Sequence, residues 1–325
     1  MELVKITRES GIPLIGHIAF GIIDRGSNLL QVRATTVCNL HCTFCSTAAG
    51  PELHPVNFEV DKEYLVEWIK EAIRLKGRED IEMNIDSAGE PTAYPHLVDL
   101  VKKVRGLPEV KVVSMQTNGS LLDENKIKEL EDAGLDRINL SIHAVDEDVA
   151  KYLMGSPYYN LKKIKDIVKI IAKTSIELNL TPVWLPGVND NEIPKLILLA
   201  KELKCKISIQ KYEMYKYSRK EKKAERISWF KFYRRLEVWE KEFGMKLKVG
   251  PSDFRIVGAK KIPLVFERGE IAHVVVKAPG WMRNEVVAVG KNRVVSVLDT
   301  RAAVGDRIKV KIIETQNSIY LAKRV

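Results

Sequence analysis

From residue 29 to residue 211 the chain alternates two hydrophobic periods. β-Branched apolar runs predict strands at "LLQVRATTV" (29–37), "IEMNIDS" (81–87), "KVVSMQT" (111–117), "RINLSIHA" (137–144), "IELNLTPVW" (176–184) and "KISIQKY" (206–212). Between them, apolar residues at three- and four-residue spacing, as in "EYLVEWIKEAIRL", predict helices at 61–76, 95–106, 123–134, 159–173 and 190–203. Asp123 and Asp190 occupy N-cap positions, and Gly77 and Gly134 stand where helices would stop. Six strands alternating with five helices predict an α/β domain: a parallel sheet with right-handed crossovers, curved into a partial (β/α)6 barrel of the TIM type. In such folds the chemistry lies beyond the C-terminal ends of the strands.

The periodicity then changes twice. Residues 211–244, "KYEMYKYSRKEKKAERISWFKFYRRLEVWEKEFG", are basic and aromatic, with Ser228 placed to cap a helix over 229–243. Residues 251–325 read as short alternating runs, "IAHVVVKAP", "EVVAVG", "RVVSVL" and "RIKVKII", separated by Gly, Asn and Asp turns, which predicts a small all-β barrel. The expected organisation is therefore an N-terminal extension (1–28) packing on the barrel, a core with its basic aromatic helix (29–245), and the β-domain (251–325).

Composition narrows the class. A chain of 325 residues that is 45% apolar and 30% charged suits a soluble globular protein. No run of 18 uncharged apolar residues occurs, and the N-terminus "MELVKITRESGIPLIGHIAFG" carries charges where a secretion signal would be apolar, so a cytoplasmic chain without a membrane partner is expected. The net charge of +10 is uneven: residues 211–325 hold 27 Lys/Arg against 13 Asp/Glu, a surplus of 14, while the first 210 residues are slightly acidic. A surface that meets a polyanion belongs to the last third, unless the lysines are simply a solvated coat.

Three of the four cysteines fall in "VCNLHCTFCS": Cys38, Cys42 and Cys45. This is no disulfide framework. A structural zinc site wants four protein ligands, and His41 or His54 is a possible fourth. A cubane iron–sulfur cluster has four irons, so three thiolates leave one iron open to a ligand from outside. The turn-rich stretches "SAGEP" (87–91), "QTNGS" (116–120), "SIHA" (141–144) and "PGVND" (186–190) end the following strands on the same face. Cys205 precedes the sixth strand, at the other end, as a core cysteine.

"CNLHCTFC" resembles the signature of the radical S-adenosylmethionine (SAM) superfamily, with Phe44 at its aromatic position. The resemblance covers about residues 25–212 and implies a [4Fe–4S] cluster on Cys38, Cys42 and Cys45 as the catalytic centre, with SAM chelating the fourth iron. "SAGEP" resembles the family's Gly-Gly-Glu-Pro loop, with Ala88 in place of the first Gly. That likeness implies SAM contacts from Ala88, Gly89 and Glu90, and the other strand ends imply Asn118, Ser141, His143 and Asn189. Read without the family, His143 is a packed polar residue and Asn118–Gly119 an ordinary turn.

The last domain, above all "VGDRIKVKIIETQNSIYLAKRV", resembles a TRAM domain, an OB-like RNA-holding β-barrel, and the whole chain is similar to an archaeal group of radical SAM proteins carrying one. In "DRIKVKI" the residues Arg307, Lys309 and Lys311 share one strand face, a stripe that a polyanion would relieve. Arg33, Tyr212, Lys220 and Arg293 are further candidates for RNA contact. Tyr215, Tyr217, Trp229, Phe230 and Tyr233 interleave with Lys and Arg as in single-strand binders, though Phe230 and Tyr233, three apart, are expected to pack the helix instead.

With one triad of clustered cysteines, sulfur insertion through a second cluster and methyl transfer through a cysteine pair are disfavoured. The expectation is a radical SAM transferase that modifies a nucleotide of tRNA or rRNA, by carbon methylation on superfamily habit, with its electron from a low-potential donor such as ferredoxin. The alternatives are a radical SAM enzyme for a small molecule or protein, and a non-catalytic RNA-binding module with a structural metal.

Overall fold

The computed structural model describes residues 1–50 and 52–325. They divide into two compact units, the first made of Met1–Cys38, Ala49–Val113 and Ile256–Val325, the second of Asn39–Ala48 and Ser114–Arg255.

The first unit begins with β1 (Glu2–Ile6), β2 (Gly21–Asp24), β3 (Leu29–Arg33), β4 (Val56–Val60), α1 (Lys62–Lys76), β5 (Ile81–Asp86), α2 (Leu97–Arg105) and the start of β6 (Val110–Thr117). α1 shows how local sequence sets its own limits. Asp61 accepts from the Tyr64 amide at one end, Leu65, Ile69, Ala72 and Ile73 are buried along one stripe, and Gly77, at φ 63°, closes the other end. The second unit continues through α3 (Glu124–Asp132), β7 (Arg137–Leu140), α4 (Glu147–Met154), α5 (Leu161–Ile171), β8 (Glu177–Leu180), β9 (Val183–Trp184), α6 (Glu192–Glu202), β10 (Lys206–Ile207), β11 (Gln210–Lys211) and α7 (Trp229–Phe243).

The seven-stranded sheet has the order β10-β8-β7-β6-β5-β3-β2. Its six chain-sequential members are the six predicted strands, and the pairings β3 with β5, β6 with β7, β7 with β8 and β8 with β10 are parallel. The short strand β2 joins β3 antiparallel.

Several local expectations shift. The run 176–184 breaks into β8 and β9, with Pro182, which has no N–H for a ladder, between them. The run 206–212 breaks likewise, and β11 pairs with β9 in a separate two-stranded sheet. The eight-residue α4 was not anticipated; Asp146 caps it by accepting from the Asp148 and Val149 amides. Asp190 is not the cap of α6, whose N-cap is Asn191. The Asp190 carboxylate instead accepts from the Trp184 indole and the Gly187 amide.

Ser228 caps α7 as expected, by accepting from the Lys231 amide. The buried stripe of α7, however, is Phe232, Leu236 and Trp239, with Trp184 packed against Phe232 and Trp239. That spacing turns Phe230 and Tyr233 outward, 74% and 45% exposed, so the packing role expected for them is not theirs.

The C-terminal part of the first unit is a closed five-stranded barrel: β12 (Ile271–Pro279), β13 (Val286–Gly290), β14 (Arg293–Leu298), β16 (Leu321–Arg324) and β15 (Arg307–Glu314), in that order. β14 and β16 are parallel and the other pairings antiparallel. Period-two alternation buries Val274, Val276, Val295, Val297, Ile308, Val310, Ile312 and Tyr320 inside it. The N-terminal chain is stitched to this barrel: the carbonyls of Ile15 and Gly16 accept from the Val294 and Tyr320 amides. A Cβ on Gly16 would lie 2.2 Å from the Val294 oxygen, so only glycine passes there.

A second stitch is charged. The side chains of Asp24 and Lys76 are fully buried, with Lys76 Nζ 2.7 Å and 2.9 Å from the two carboxylate oxygens. Asp24 also accepts from the Gly26 and Ile262 amides. Lys76→Met would leave a buried carboxylate without its cation and is expected to cost about 3–5 kcal/mol, against under about 1 kcal/mol for Lys62→Met at an exposed ion pair. Denaturant unfolding of the two variants checks the contrast.

Candidate active site

The loop between β3 and β4 has no repeating structure across Cys38–Cys45, so its backbone polar groups need partners elsewhere. In the second unit the last turn of α4 supplies acceptors, because terminal helical carbonyls lack intrahelical donors. The His41 amide donates to the Met154 carbonyl (3.2 Å) and the Thr43 amide to that of Leu153 (3.0 Å). Gly155, at φ 61°, ends the helix against the loop, and a Cβ there would come within 1.9 Å of the His41 oxygen. The other flank is held by Arg219, whose amide donates to the Cys45 carbonyl (2.9 Å) and whose Nη1 donates to the Cys42 carbonyl (3.2 Å).

Cys38, Cys42 and Cys45 are half-buried and belong to no disulfide. Cys42 Sγ lies 3.9 Å from Met154 Sδ, and Cys45 Sγ lies 3.2 Å from the Thr47 hydroxyl. Cys205, expected in the core, is half-buried like the others, and burial pushes its thiol up to about 11, which suits an inert thiol.

In the first unit the predicted turn 87–90 is built onto the strand leading to Cys38. The Glu90 amide donates to the Val37 carbonyl (2.8 Å), and the Ser87 hydroxyl donates to the Thr35 carbonyl and accepts from the Gly89 amide. A Cβ on Gly89 would lie 2.3 Å from the Val37 oxygen and 2.4 Å from that of Thr36, so the second glycine of the pair is the one sterics demand. Ala88 is fully buried, its methyl taken into the core. Glu90 is buried, and its Oε1 accepts from the Thr92 amide and hydroxyl.

Of the remaining predicted residues of the second unit, Asn118 belongs to one group and Asn189 with His143 to another, while Ser141 stands apart. Asn118 accepts from the Ser120 amide and donates to Asn39 Oδ1 (3.2 Å), and Asn39 in turn donates to the Ser120 hydroxyl. The third strand end is thereby tied to the residue that follows Cys38. In the other group, Asn189 donates from Nδ2 to the carbonyls of His143 and Val183 and accepts from the Leu185 amide, locking the fourth and fifth strand ends together. His143 accepts at Nδ1 from the Val183 amide and meets the edge of the Phe44 ring at 4.7 Å. Burial pushes His143 down to about 3, so it is a neutral imidazole. The Ser141 hydroxyl accepts from Gln116, which also donates to Thr181. A cavity of about 210 Å³ opens beside Phe44, lined also by Ser46, Val183, Tyr212 and Tyr215 and by the Lys211–Glu213 ion pair.

Three candidates for RNA contact are committed elsewhere. Arg33 is buried in an ion pair with Asp86 (2.7 Å) and donates to the Ile18 carbonyl. Tyr212 is buried and its hydroxyl accepts from the Glu221 amide, and Arg293 is buried in the β-barrel with Nη1 on the Asn292 carbonyl. Lys220 is exposed, as are Arg307, Lys309 and Lys311. Sequence reasoning missed Asn39, Tyr152, Gly155, Arg219 and Glu221. Arg219 is 177 positions from Cys42, and no local pattern connects them.

The donor set decides what the loop can hold. Three soft thiolates in one loop suit iron–sulfur chemistry. Among the described residues no three His, Cys, Asp or Glu side chains converge on a single-ion position. Thiolates that each take a different iron need not converge that closely, so the residues fit an iron–sulfur protein with one cluster position left to an external ligand.

Comparison with known proteins defines the class further. Residues 32–200 match the Radical SAM superfamily, and the chain belongs to that superfamily. Its cofactors are accordingly a [4Fe–4S] cluster on three cysteines and SAM. An uncharacterized protein of Methanocaldococcus jannaschii is 38% identical over 97% of this chain and 79% of its own length. A probable GTP 3',8-cyclase of Methanosarcina mazei is 32% identical over 57% of this chain, which spans about half of that relative's length (54%). Among solved structures, a radical SAM methyltransferase from Sphaerobacter thermophilus superposes with a TM-score of 0.53 at 18% identity, covering 68% of this chain and 65% of its own, a likeness of fold. Among the described residues no helix is long and apolar enough to cross a membrane.

Two outcomes follow. Gly155→Ala forces the His41 carbonyl away and is expected to lower the iron retained after anaerobic reconstitution by more than half, with the far-ultraviolet circular dichroism unchanged. His143 resists protonation in the fold but titrates near 6.5 when unfolded, so stability is lost as pH falls below about 6.5 toward 3. Melting temperatures of the cluster-free protein should fall less between pH 7 and pH 5 in His143→Asn, which keeps an acceptor for the Val183 amide.

Proposed function

We propose that this chain modifies a nucleotide within RNA, with Cys38, Cys42 and Cys45 as the cluster ligands and the β-barrel as the RNA-holding module. Cys38, Cys42 and Cys45 would hold the cluster, which when bound and reduced would supply an electron for reductive cleavage of the SAM sulfonium C–S bond. The protein's own part is to hold and enclose. In the first unit the turn 87–90 offers backbone and the Glu90 carboxylate to the SAM amino group. His143, neutral and buried, carries its proton on Nε2 and takes no part in proton transfer near neutral pH. The electron comes from a low-potential one-electron donor such as ferredoxin.

One observation carries the RNA reading. On β15 the exposed Arg307, Lys309 and Lys311 alternate with buried Ile308, Val310 and Ile312, and Lys311 stands directly across from Lys323 of β16, whose ammonium pairs with Asp299 at 3.0 Å. Like charges in register cost stability on their own, and a phosphate backbone reverses the sign of that cost. The strand order of the barrel suits the OB-type architecture that binds oligonucleotides along its surface. The outward aromatics of α7 add a second support, since Trp229 and Tyr233 stack on each other and Lys211 lies over the Trp229 ring. Carbon methylation is the transfer we favour.

A second reading, a free guanine nucleotide as substrate, is favoured by the GTP 3',8-cyclase relatives. Both readings are tested together. Nucleoside mass spectrometry of total RNA from a strain lacking the gene, set against its parent, is expected to lose one modified nucleoside; intact RNA profiles with turnover of free GTP by the purified protein would favour the second reading. On the RNA reading, replacing Arg307, Lys309 and Lys311 by Ala reduces the salt dependence of RNA binding by about two to three in slope of log K against log salt, measured by fluorescence anisotropy.

A further inference from the structure

The chain from Tyr212 to Lys223 has little regular structure, yet it is closely held. The Glu221 amide donates to the Tyr212 hydroxyl (2.9 Å), and the Tyr152 hydroxyl of α4 donates to the Glu221 carboxylate (2.8 Å). Lys223 donates its amide to the same carboxylate and lays its ammonium over the Tyr152 ring. Ser218 closes the turn between, accepting from the Tyr215 amide. This circuit ties the segment to α4, the helix whose last carbonyls hold the other flank of the cysteine loop. At its centre Arg219 makes both contacts with the loop, amide to the Cys45 carbonyl and guanidinium to the Cys42 carbonyl.

The electrostatics of the two flanks differ. The carboxyl end of α4 presents the negative pole of a helix to the loop, which disfavours thiolates and any added electron. Glu221 adds a second negative group on the strap side, already engaged by Tyr152 and the Lys223 amide. Arg219 brings a cation into direct hydrogen bond with a ligand residue's backbone. A lysine would bring the charge without the planar fork.

We propose that Arg219 is a positioning residue for the iron–sulfur cluster: it fixes the carbonyls of two ligand residues, and its charge makes the cluster easier to reduce. The 212–223 segment is thus a strap whose order depends on the loaded loop. This goes beyond the substrate assignment and stands whichever substrate is used. The test compares reconstituted wild type, Arg219→Met and Arg219→Lys, poised at one fixed solution potential, with the reduced fraction read by electron paramagnetic resonance. Arg219→Met is expected to lower the ratio of reduced to oxidised cluster about tenfold, equivalent to about 59 mV for a one-electron couple. Arg219→Lys recovers most of that ratio but alters the spectral change on adding SAM. A ratio and spectrum unchanged in a folded, cluster-loaded Arg219→Met would overturn the proposal. Hydrogen exchange on the wild-type protein covers failure of the variants to load: amides of 39–46 and 213–223 should gain protection together on reconstitution, and protection of the first stretch alone refutes the coupling.

Discussion

The cysteine loop has no regular structure, so its backbone polar groups must be satisfied by partners elsewhere. Everything else about the cysteine loop follows from that constraint. Its His41 and Thr43 N–H groups go to the last carbonyls of α4, groups that a helix end leaves without partners, and its carbonyls at Cys42 and Cys45 accept from Arg219. The ligand spacing of three and two therefore says which side chains face the metal, while rigidity comes from segments more than a hundred positions downstream. Gly155 is the point of closest approach, and its lack of a side chain lets helix and loop meet.

The same division of labour recurs at the strand ends. Asn189 and Asn118 read from the sequence as candidate SAM contacts. In the folded chain Asn189 has both donor directions and its acceptor taken by backbone, and Asn118 is joined to Asn39 and Ser120. These asparagines shape the strand-end turns. In the first unit Gly89 of the turn 87–90 lies against the chain that leads into Cys38.

The basic character of the last third also divides. Of the residues considered for RNA, those on alternating strand positions, Arg307, Lys309 and Lys311, lie on the surface, because the period of two that buries their neighbours must expose them. Those chosen singly, Arg33, Tyr212 and Arg293, are held in ion pairs or hydrogen bonds inside. Phe230 and Tyr233 went the other way, exposed because the apolar stripe of α7 runs through Phe232, Leu236 and Trp239.

The sequence by itself determined the order and type of the six sheet strands, the alternating barrel, the caps at Asp123 and Ser228 though not at Asp190, and the three-thiolate loop. Each is written in short-range period or spacing, which a dozen neighbouring residues suffice to encode. Only the tertiary structure decided that Arg219 holds the loop, that Lys76 answers Asp24, that α4 exists beneath the cysteines, and which polar side chains are already engaged. Those are long-range pairings between single residues, and a hydrogen bond or an ion pair leaves no periodic trace in the chain that makes it.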